Sequence, residues 1–536
     1  MAEYETVDTE KLKARYEAVK YTGRVYRLTH PDRLAMVARM RGLSPPDVET
    51  ARVLELGCGT GMNVVSMAHH LPKGRFVGVD LSAAILDEGR TCAEALGLSN
   101  VTLVAGAIEA LPDLAALDPA LDRFDYIVSH GVYSWITDEA RDAMLRVIRQ
   151  LLAPNGVAYV SYNTLPGWYY RMQARDVMRW HGGRFDDPEV QIEQGRLMLD
   201  FIVKGIDTEV SAYGRLLKAT LDNLDGASHE YLFHDYHAPI NRPIYVTEFF
   251  EHAARNGLNV LGEAAFGDSS LQRIPQAFHA ALTDLEDDPP RYYQLIDHIR
   301  CTGFRRTLLT HAENPLGAVD AHELLAGTTL LMQARLADSV DFSVSAPCVA
   351  TARDETEVTV TDPLTKAALI ELYEAYPLAL GPEELFERAK ARLKKRRRRS
   401  STPYEAFCQT LVELFALDIL DALPRRVAVG LEPGERPRVN RLARWEASRG
   451  ADGVSNAYHE QVESRGVERV LIRSCDGTRT LLDLADEVAR AVASGELVLH
   501  VGDAPTTDVQ LTREVALSVV TDKVRLLPSV GLLEAP

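Results

Sequence analysis

Cysteine is scarce in this chain. Six of its 536 residues are cysteines, at positions 58, 92, 301, 348, 408 and 475, and none forms a CxxC pair. This scatter excludes a cysteine zinc centre and a disulfide framework, so we expect no metal site and a reducing, cytoplasmic setting. The sequence also lacks an apolar run of about 18 residues that would predict a transmembrane helix. Its acidic N-terminus lacks the pattern of a signal peptide.

Basic residues are outnumbered. Lys and Arg total 59 against 77 Asp and Glu, which gives a formal net charge of −18. Such an acidic chain does not suit nucleic-acid binding through bulk charge, so we expect neither a nucleic-acid nor a membrane partner. We interpret the basic run at 394–399 as a solvated helix end. The length and the 46% hydrophobic content are typical of a globular protein with two to four domains.

Strand and helix patterns alternate in the first third of the chain. Short apolar runs predict strands at 52–56, 75–80, 101–105, 124–129 and 157–162. Because these runs are almost continuously apolar and are separated by helical patterns, they indicate a parallel sheet covered on both faces. A helix at 246–256 and strands at 257–263 and 304–311 extend this α/β pattern after an interruption.

The remaining segments give the domain organisation. We predict one α/β domain from 1–165 and 241–311, with a helical insertion at 166–240 assigned to regulation or dimerisation. Amphipathic helices at 364–376, 382–393 and 404–420 predict a winged-helix-like unit within 312–425. The C-terminal region, 426–536, is predicted to be extended at first and helical at 481–493.

The strongest motif is the glycine loop that follows the first predicted strand. Gly57, Gly59 and Gly61 allow a sharp turn and a close approach of a ligand to the backbone. Met62 breaks the GxGxxG pattern of dinucleotide sites. The acid before the loop, Glu55, suits a ligand without phosphate, because a carboxylate there can lie near the ammonium of an amino-acid cofactor. The alternative is a tight strand-to-helix turn without a ligand.

A second acid ends the next predicted strand. Asp80 follows Gly61 by 19 residues, where a carboxylate can accept hydrogen bonds from both hydroxyls of a ribose. The alternative is an ordinary Asp in a turn before a helix capped by Ser82. The pairing of Asp80 with the glycine loop favours the ligand interpretation.

These motifs together resemble those of a known enzyme family. Residues 53–61 and 78–82 resemble class I S-adenosylmethionine-dependent methyltransferases. Further segments resemble the members that carry a methyltransferase regulatory domain, a group that includes the rickettsial protein lysine methyltransferases acting on outer-membrane proteins; these segments are 29–34, 130–135, 161–168, 229–232, 241–245, 442–445 and 476–478. The resemblance implies a Rossmann-like sheet with a helical insertion and a C-terminal mixed domain containing a winged-helix-like unit.

The resemblance also implies the cofactor and its contacts. The cofactor is expected to be S-adenosyl-L-methionine and the product S-adenosyl-L-homocysteine. Where the family usually has an acid for the adenine amine, this chain has Ala107 and Ile108, so Ile108 is expected to pack on the adenine face. The implied cofactor-binding residues are Tyr16, Glu55, Gly57, Cys58, Gly59, Gly61, Asn63, Asp80, Leu81, Ala107, Ile108, His130 and Gly131.

Candidate reaction residues gather in segments expected at the carboxyl edge of the sheet. They are Tyr16, Tyr21, His130, Tyr133, Trp135, Asn163 and Trp168. Aromatic faces can hold an amine and its developing methylammonium, and His130 is the best candidate base. The alternatives are helix packing for each aromatic residue and, for His130, a residue that shapes the cofactor wall.

Three classes of function compete. The favoured one is N-methylation of a protein or peptide, with lysine as acceptor, and the runner-up is a small-molecule methyltransferase in a biosynthetic pathway. A non-catalytic partner is disfavoured by the intact loop and Asp80. The large additions to the α/β domain favour a bulky acceptor, and they could equally form a homodimer. A final hypothesis divides the chain, with 1–311 binding the cofactor and 312–536 selecting the acceptor.

Overall fold

The computed structural model describes residues 9–19, 22–111, 123–336, 341–343, 346–398, 400–498, 500–501, 504–505 and 509–535. Residues 52–311 supply the strands of the main sheet. These are β1 (Arg52–Leu56), β2 (Arg75–Asp80), β3 (Val101–Ala105), β4 (Phe124–Ser129), β5 (Leu152–Asn163), β6 (Leu258–Glu263) and β7 (Phe304–His311).

Helices connect and cover these strands. Ser82 caps the N-terminus of the helix Ala83–Leu96, because its hydroxyl accepts a hydrogen bond from Ile85 N at 3.2 Å. The helices before residue 311 are α1 (Thr9–Ala18), α2 (Pro31–Met40), α3 (Met62–His70), α4 (Ala83–Leu96), α5 (Asp138–Leu151), α6 (Trp168–Gly182), α7 (Pro188–Gly205), α8 (Ala212–Asn223), α9 (His229–His237), α10 (Val246–Arg255), α11 (His279–Thr283) and α12 (Pro289–Arg300).

The sheet has the strand order β3-β2-β1-β4-β5-β7-β6. The first five strands are parallel, as predicted, but β7 is antiparallel to both of its neighbours. The parallel prediction covers only the first five strands and is confirmed for them, whereas the direction of β7 is not predicted. The reason for this direction lies after α12, where Gly303 O accepts from Thr164 N at the carboxyl end of β5, so the chain enters β7 from that edge.

Two apolar layers enclose the sheet. On one face, α5 and α10 pack on it through Leu145, Ile148 and Phe249. On the other face, α2 and α3 pack on it through Leu34, Val37 and Val64. Both faces being covered explains the continuous apolar strands of the sequence. The carboxyl edge carries the loops that follow β1, β2, β4 and β5.

The predicted helical insertion forms a bundle. Helices α6 to α9 surround a core of their own that includes Met178, Leu199, Leu217 and Phe233. The bundle lies between β5 and β6 in the chain, as the loss of strand signal after residue 166 predicts.

Within the segment 312–425, side chains between 321 and 422 share an apolar core. One side chain of the α/β domain, Met36 of α2, belongs to that core. The predicted helix at 404–420 ends at Ala416, because Asp418 has a left-handed φ of +56° and a strand follows. The elements are α13 (Ala321–Leu325), β8 (Thr329–Met332), β9 (Arg335–Leu336), β10 (Cys348–Thr351), β11 (Glu357–Val360), α14 (Pro363–Ala375), α15 (Pro382–Lys395), α16 (Tyr404–Ala416) and β12 (Leu420–Leu423).

The C-terminal region forms another core of its own. The described residues 426–440 contain no helix, in agreement with the predicted extended start. Two further helices follow that are not predicted, and the first is capped by Asn440, whose Oδ1 accepts from Ala443 N at 2.7 Å. The predicted helix at 481–493 is confirmed. The elements are α17 (Arg441–Ser448), β13 (Gly453–Ser455), β14 (Gln461–Glu463), α18 (Gly466–Ser474), α19 (Leu481–Ala493), β15 (His500–Val501), β16 (Ala504–Pro505) and α20 (Val509–Leu526). Among the described helices, none is long and apolar enough to cross a membrane.

Candidate active site

The glycine loop joins β1 to α3 in a left-handed backbone conformation. Gly57, Gly59 and Gly61 have φ values of +69°, +56° and +80°, which L side chains rarely adopt. A Cβ atom at Gly57 would collide with Val132, and one at Gly61 would lie 2.9 Å from Leu103 Cδ1. At Gly59 it would meet nothing within 4 Å. Packing thus requires the two outer glycines, whereas the middle one faces open space that a ligand can approach.

Asp80 holds this loop from the end of β2. Its Oδ2 accepts from Gly59 N at 2.8 Å, and its Oδ1 accepts from Ser82 N at 3.2 Å. Burial raises the pKa of Asp80, and the two backbone hydrogen bonds oppose that shift. The carboxylate therefore fixes the loop conformation as well as standing at the position predicted for ribose recognition. The neighbouring Leu81 is half-buried.

Glu55, the residue before the last of β1, has a buried carboxylate. Its Oε1 accepts from Asn63 Nδ2 at 2.9 Å, whereas its buried Oε2 has no hydrogen-bond partner among the described residues. Burial raises the pKa of Glu55 to about 8, and the charge of Asp80 adds to the shift. A buried carboxylate oxygen that lacks a donor is rare in a native protein. It fits the ammonium group of an amino-acid cofactor.

The third cofactor motif lies beside Asp80. Gly106 N donates to Asp80 O at 2.8 Å, which places Ala107 directly after the sheet edge. Ile108 begins a short 3-10 helix and packs against the core on the α5 side. In the glycine loop, Cys58 is buried, and burial raises the pKa of its thiol. The Cys58 thiol is therefore neutral at pH 7.

The N-terminal helix α1 joins the helical insertion to the cofactor loops. The ring of Tyr16 stacks on His234 of α9 at 5.2 Å between centroids, and burial together with the charge of Asp80 raises the Tyr16 pKa. Glu17 Oε1 accepts from Ser82 Oγ at 2.6 Å. The structure thus places Tyr16 near Asp80. Tyr21 lies outside the described residues.

His130 follows β4 and sits among aromatic rings. Its ring centroid lies 4.0 Å from that of Tyr26, and its Nδ1 lies 2.9 Å from Tyr159 Oη. Burial lowers the pKa of His130 to about 3, and the charge of Arg306 adds to the shift. A histidine with so low a pKa is neutral at pH 7 and a weak base. This geometry fits the alternative of a wall-forming residue. The next residue, Gly131, is held by Ser161 Oγ, which accepts from its backbone N at 2.8 Å.

Two of the predicted reaction residues, Tyr133 and Asn163, are buried in the core and form hydrogen bonds there. The Tyr133 hydroxyl lies 2.7 Å from His252 Nδ1, and its ring packs against Phe249 between α5 and α10. The structure thus places Tyr133 in the core, where its hydroxyl is already satisfied. Asn163 is also buried, and its Nδ2 donates to Asn241 Oδ1 at 3.2 Å.

The two predicted tryptophans contact each other. The rings of Trp135 and Trp168 are 6.4 Å apart in an edge-to-face arrangement, and Arg171 lies over Trp168. Trp168 Nε1 is buried and has no hydrogen-bond partner in the part of the chain that the structure describes. The pair therefore forms a half-buried aromatic wall beside the loops of β4 and β5.

No sequence motif points to the remaining polar contact of the site. His459, in the turn between β13 and β14, has its Nε2 2.8 Å from Asn63 Oδ1, across 396 residues of sequence. A single histidine far from the motifs carries no local signal, so only the tertiary structure reveals it.

Three family models match successive parts of the chain. One, described as a methyltransferase domain, matches residues 53–156. A predicted methyltransferase regulatory domain matches 228–311, and the PKMT C-terminal winged helix domain matches 435–531. The matched winged helix domain therefore lies in the C-terminal region. The helix pattern, by contrast, predicts a winged-helix-like unit earlier in the chain, within 312–425. The interpretation of 312–425 itself stays a prediction.

Individual relatives extend these matches. The Rickettsia prowazekii protein RP789 is 34% identical over 296 residues, which is 55% of this chain and about half (52%) of RP789. RP028 of the same organism is 34% identical over 249 residues, 46% of this chain and 97% of RP028. The structure of PKMT2 from Rickettsia typhi in complex with AdoHcy superimposes with a TM-score of 0.82 and 26% identity, covering 96% of this chain and 99% of PKMT2.

Fold, loop geometry and these matches define the class of protein. It is an S-adenosylmethionine-dependent methyltransferase with a Rossmann-like sheet, and a methyl acceptor is its substrate. Within that class, the chain belongs to the family of RP028. It carries both a methyltransferase domain and a predicted methyltransferase regulatory domain. The predicted class, cofactor and regulatory domain are thereby confirmed.

Proposed function

We propose that this methyltransferase N-methylates a protein or peptide and that lysine is its favoured acceptor. The observation that carries this proposal is the similarity to PKMT2 over 96% of the chain, which includes the helical insertion and both C-terminal units. A small acceptor needs little beyond the methyltransferase domain, whereas remote contacts with a large one can align the reacting atoms.

We assign the cofactor contacts residue by residue. Glu55 Oε2 accepts from the ammonium of the amino-acid part, Asp80 from the ribose hydroxyls, and Ile108 packs on the adenine. S-adenosylmethionine supplies an electrophilic methyl group on its sulfonium. The role of the chain is to hold that group in line with the acceptor nitrogen, for which Gly59 leaves the open space.

The acceptor amine must lose its proton before it can attack. The weak basicity of His130 makes it unsuited to that task at neutral pH. We infer that the wall formed by Tyr26, His130 and Phe304 instead favours the neutral amine, because desolvation lowers the pKa of an ammonium. Arg306, whose guanidinium lies 5.1 Å from the Phe304 ring centroid, adds a positive charge with the same effect. The proton is then lost to solvent as the ammonium leaves water and enters against this wall.

Incubation with methyl-labelled cofactor and a lysate of the source cells tests the acceptor class. We expect the label in protein, and acid hydrolysis is expected to release it as methylated lysine. Asp80→Ala is the matched control and is expected to transfer little label, since it removes the ribose acceptor and releases Gly59 N. Label confined to small molecules would establish the alternative of a small-molecule methyltransferase.

We also propose a homodimer formed through the helical insertion. Its surface exposes Trp180, Phe201 and Val210, with relative exposures of 69%, 72% and 79%, and large exposed apolar side chains often mark interfaces. Light scattering is expected to give twice the mass of the chain for the wild type and a monomer for Phe201→Asp. A monomeric wild type at micromolar concentration would contradict this proposal.

A further inference from the structure

Asn63 connects the cofactor domain to the C-terminal region. Its Oδ1 lies 3.0 Å from Tyr26 N and 2.8 Å from His459 Nε2. Its Nδ2 lies 2.9 Å from Glu55 Oε1 and 3.1 Å from Thr29 Oγ1. Because a backbone N–H can only donate, the Asn63 atom that faces Tyr26 must be the amide oxygen. The orientation of the Asn63 amide is therefore fixed.

The fixed amide also determines the protonation of His459. Since Asn63 Oδ1 can only accept, His459 Nε2 must carry a proton. The other ring nitrogen, Nδ1, then accepts from Ser66 Oγ, which lies 3.1 Å away. Burial lowers the pKa of His459 well below its ordinary value, so the ring is neutral. In this network, each polar side-chain atom has a partner except Glu55 Oε2.

The turn that carries His459 is held in place before it reaches Asn63. His459 has a left-handed φ of +57°. Asn456 Oδ1 accepts from Tyr458 N at 2.9 Å and from Glu460 N at 3.0 Å, which closes the turn. The Tyr458 hydroxyl donates to Pro377 O and fixes the turn to the unit at 312–425. The turn is therefore preorganised and holds the His459 ring beside Asn63.

The hairpin formed by β13 and β14, whose turn carries His459, also contacts residues 23–26, which cover the glycine loop. Gln461 Oε1, on β14, accepts from Val25 N at 3.4 Å. Two residues earlier, a Cβ atom on Gly23 would lie 2.5 Å from Met62 Cγ and 2.7 Å from Thr60 Oγ1. Residues 23–26 thus lie directly against the loop that holds the cofactor. The winged helix contacts both this covering segment and the residue behind Glu55.

We propose that His459 is a positioning residue for cofactor binding, acting through Asn63 to aim the free carboxylate oxygen of Glu55 at the ligand. The winged helix is then part of the cofactor site and not only an acceptor-binding unit. This inference rests on the proposed role of Glu55. Without the His459 proton, the Asn63 oxygen loses the shortest of its hydrogen bonds, and the amide is free to rotate away from Glu55.

Calorimetric titration of the full chain with S-adenosylhomocysteine tests the proposal. His459→Ala is expected to weaken binding about tenfold, the effect of losing a buried hydrogen bond together with the orientation it imposes. His459→Gln, whose side-chain amide can still donate to Asn63, is expected to stay within about threefold of the wild type. Ser66→Ala, which loosens His459 without removing it, is expected to weaken binding about threefold.

Tyr458→Phe is the matched control. It removes the anchor of the same turn to Pro377 but leaves the His459 side chain intact. We expect a lower melting temperature with little change in affinity. A fall in affinity equal to that of His459→Ala would show that loosening the turn in general is sufficient, and would overturn the specific role of His459.

A double-mutant cycle separates this inference from the role of Glu55. If His459 acts through Glu55, His459→Ala is expected to cause little further loss in a Glu55→Gln background. Unchanged affinity in Glu55→Gln alone would overturn the Glu55 assignment and this inference with it. Weaker binding in Glu55→Gln, combined with wild-type affinity in folded His459→Ala, would overturn the role of His459 alone.

Discussion

A chain that ends at residue 311 is expected to lose both cooperative folding and S-adenosylhomocysteine binding, although every sequence motif of the cofactor site precedes that residue. The cause is a set of buried ion pairs that cross this boundary. Arg33 Nη2 lies 2.8 Å from Asp418 Oδ1 and Arg33 Nη1 lies 3.0 Å from Asp421 Oδ1, while Asp32 Oδ2 lies 2.9 Å from Arg425 Nη2. The Arg33 side chain is only 3% exposed, so truncation leaves a buried charge without its partners.

The expected loss of stability on truncation follows from the burial of these ion pairs. Removing one partner of a buried ion pair costs about 3–5 kcal/mol, and the whole stability of a domain is about 5–15 kcal/mol. Apolar contacts are lost as well, because Met36 packs in the core of 312–425 and Leu442 packs against Val65 and Cys92. These contacts revise the hypothesis from sequence that 1–311 bind the cofactor alone.

Circular dichroism and calorimetry on three chains measure the effect. The full chain is the reference, and a chain ending at 434 keeps Asp418, Asp421 and Arg425 but lacks the winged helix. We expect that intermediate chain to fold with a lower melting temperature and to bind S-adenosylhomocysteine more weakly, because it lacks His459. A chain of 1–311 that unfolds cooperatively and binds within about tenfold of the wild type would contradict this prediction.

The parts of the molecule that sequence predicts well are those set by local rules. The glycine loop requires three residues with positive φ at fixed spacing, so its position is readable from residues 57 to 61 alone. The first five strands are apolar on both faces, and Ser82 caps α4 with its own hydroxyl. Each of these features is determined within a few residues, and for that reason the fold class and the cofactor are predictable.

The parts that sequence predicts poorly depend on contacts between distant segments. The direction of β7 depends on the edge of the sheet at which α12 ends. The apolar pattern of β7 itself does not contain that information. Tyr133 has the composition and position of a reaction residue, but His252 of α10 binds its hydroxyl in the core. His459 has no motif around it. Aromatic and histidine side chains suit cores and sites equally, so only their partners decide between the two.

Glu55 is expected to set the pH dependence of cofactor binding. Its pKa of about 8 without ligand means that the carboxyl is largely protonated at pH 7. Because binding to an ammonium needs the carboxylate, binding must release that proton, and affinity is expected to rise with pH up to about 8. The rise can reach tenfold per pH unit for a single group.

The stability of the ligand-free protein is expected to change with pH in the direction opposite to the affinity. The pKa of Glu55 lies above its ordinary value of 4.5, so between pH 4.5 and 8 the folded ligand-free protein binds more protons than the unfolded chain. Its contribution to stability is therefore fully present below pH 4.5 and is lost as pH rises through 8. The ligand-free protein is expected to become less stable over the same range in which its affinity increases.

Glu55→Gln is expected to remove both trends, since its amide is neutral at every pH in this range. Titrations with S-adenosylhomocysteine at pH 6, 7 and 8, with melting curves of the ligand-free protein, measure them together. The pKa of Asp80 is also raised, so Asp80→Asn is the matched control. A slope of affinity against pH that survives in Glu55→Gln but vanishes in Asp80→Asn would assign the linked proton to Asp80. Because Glu55 Oε2 alone lacks a donor in the described site, we expect the slope to vanish with Glu55.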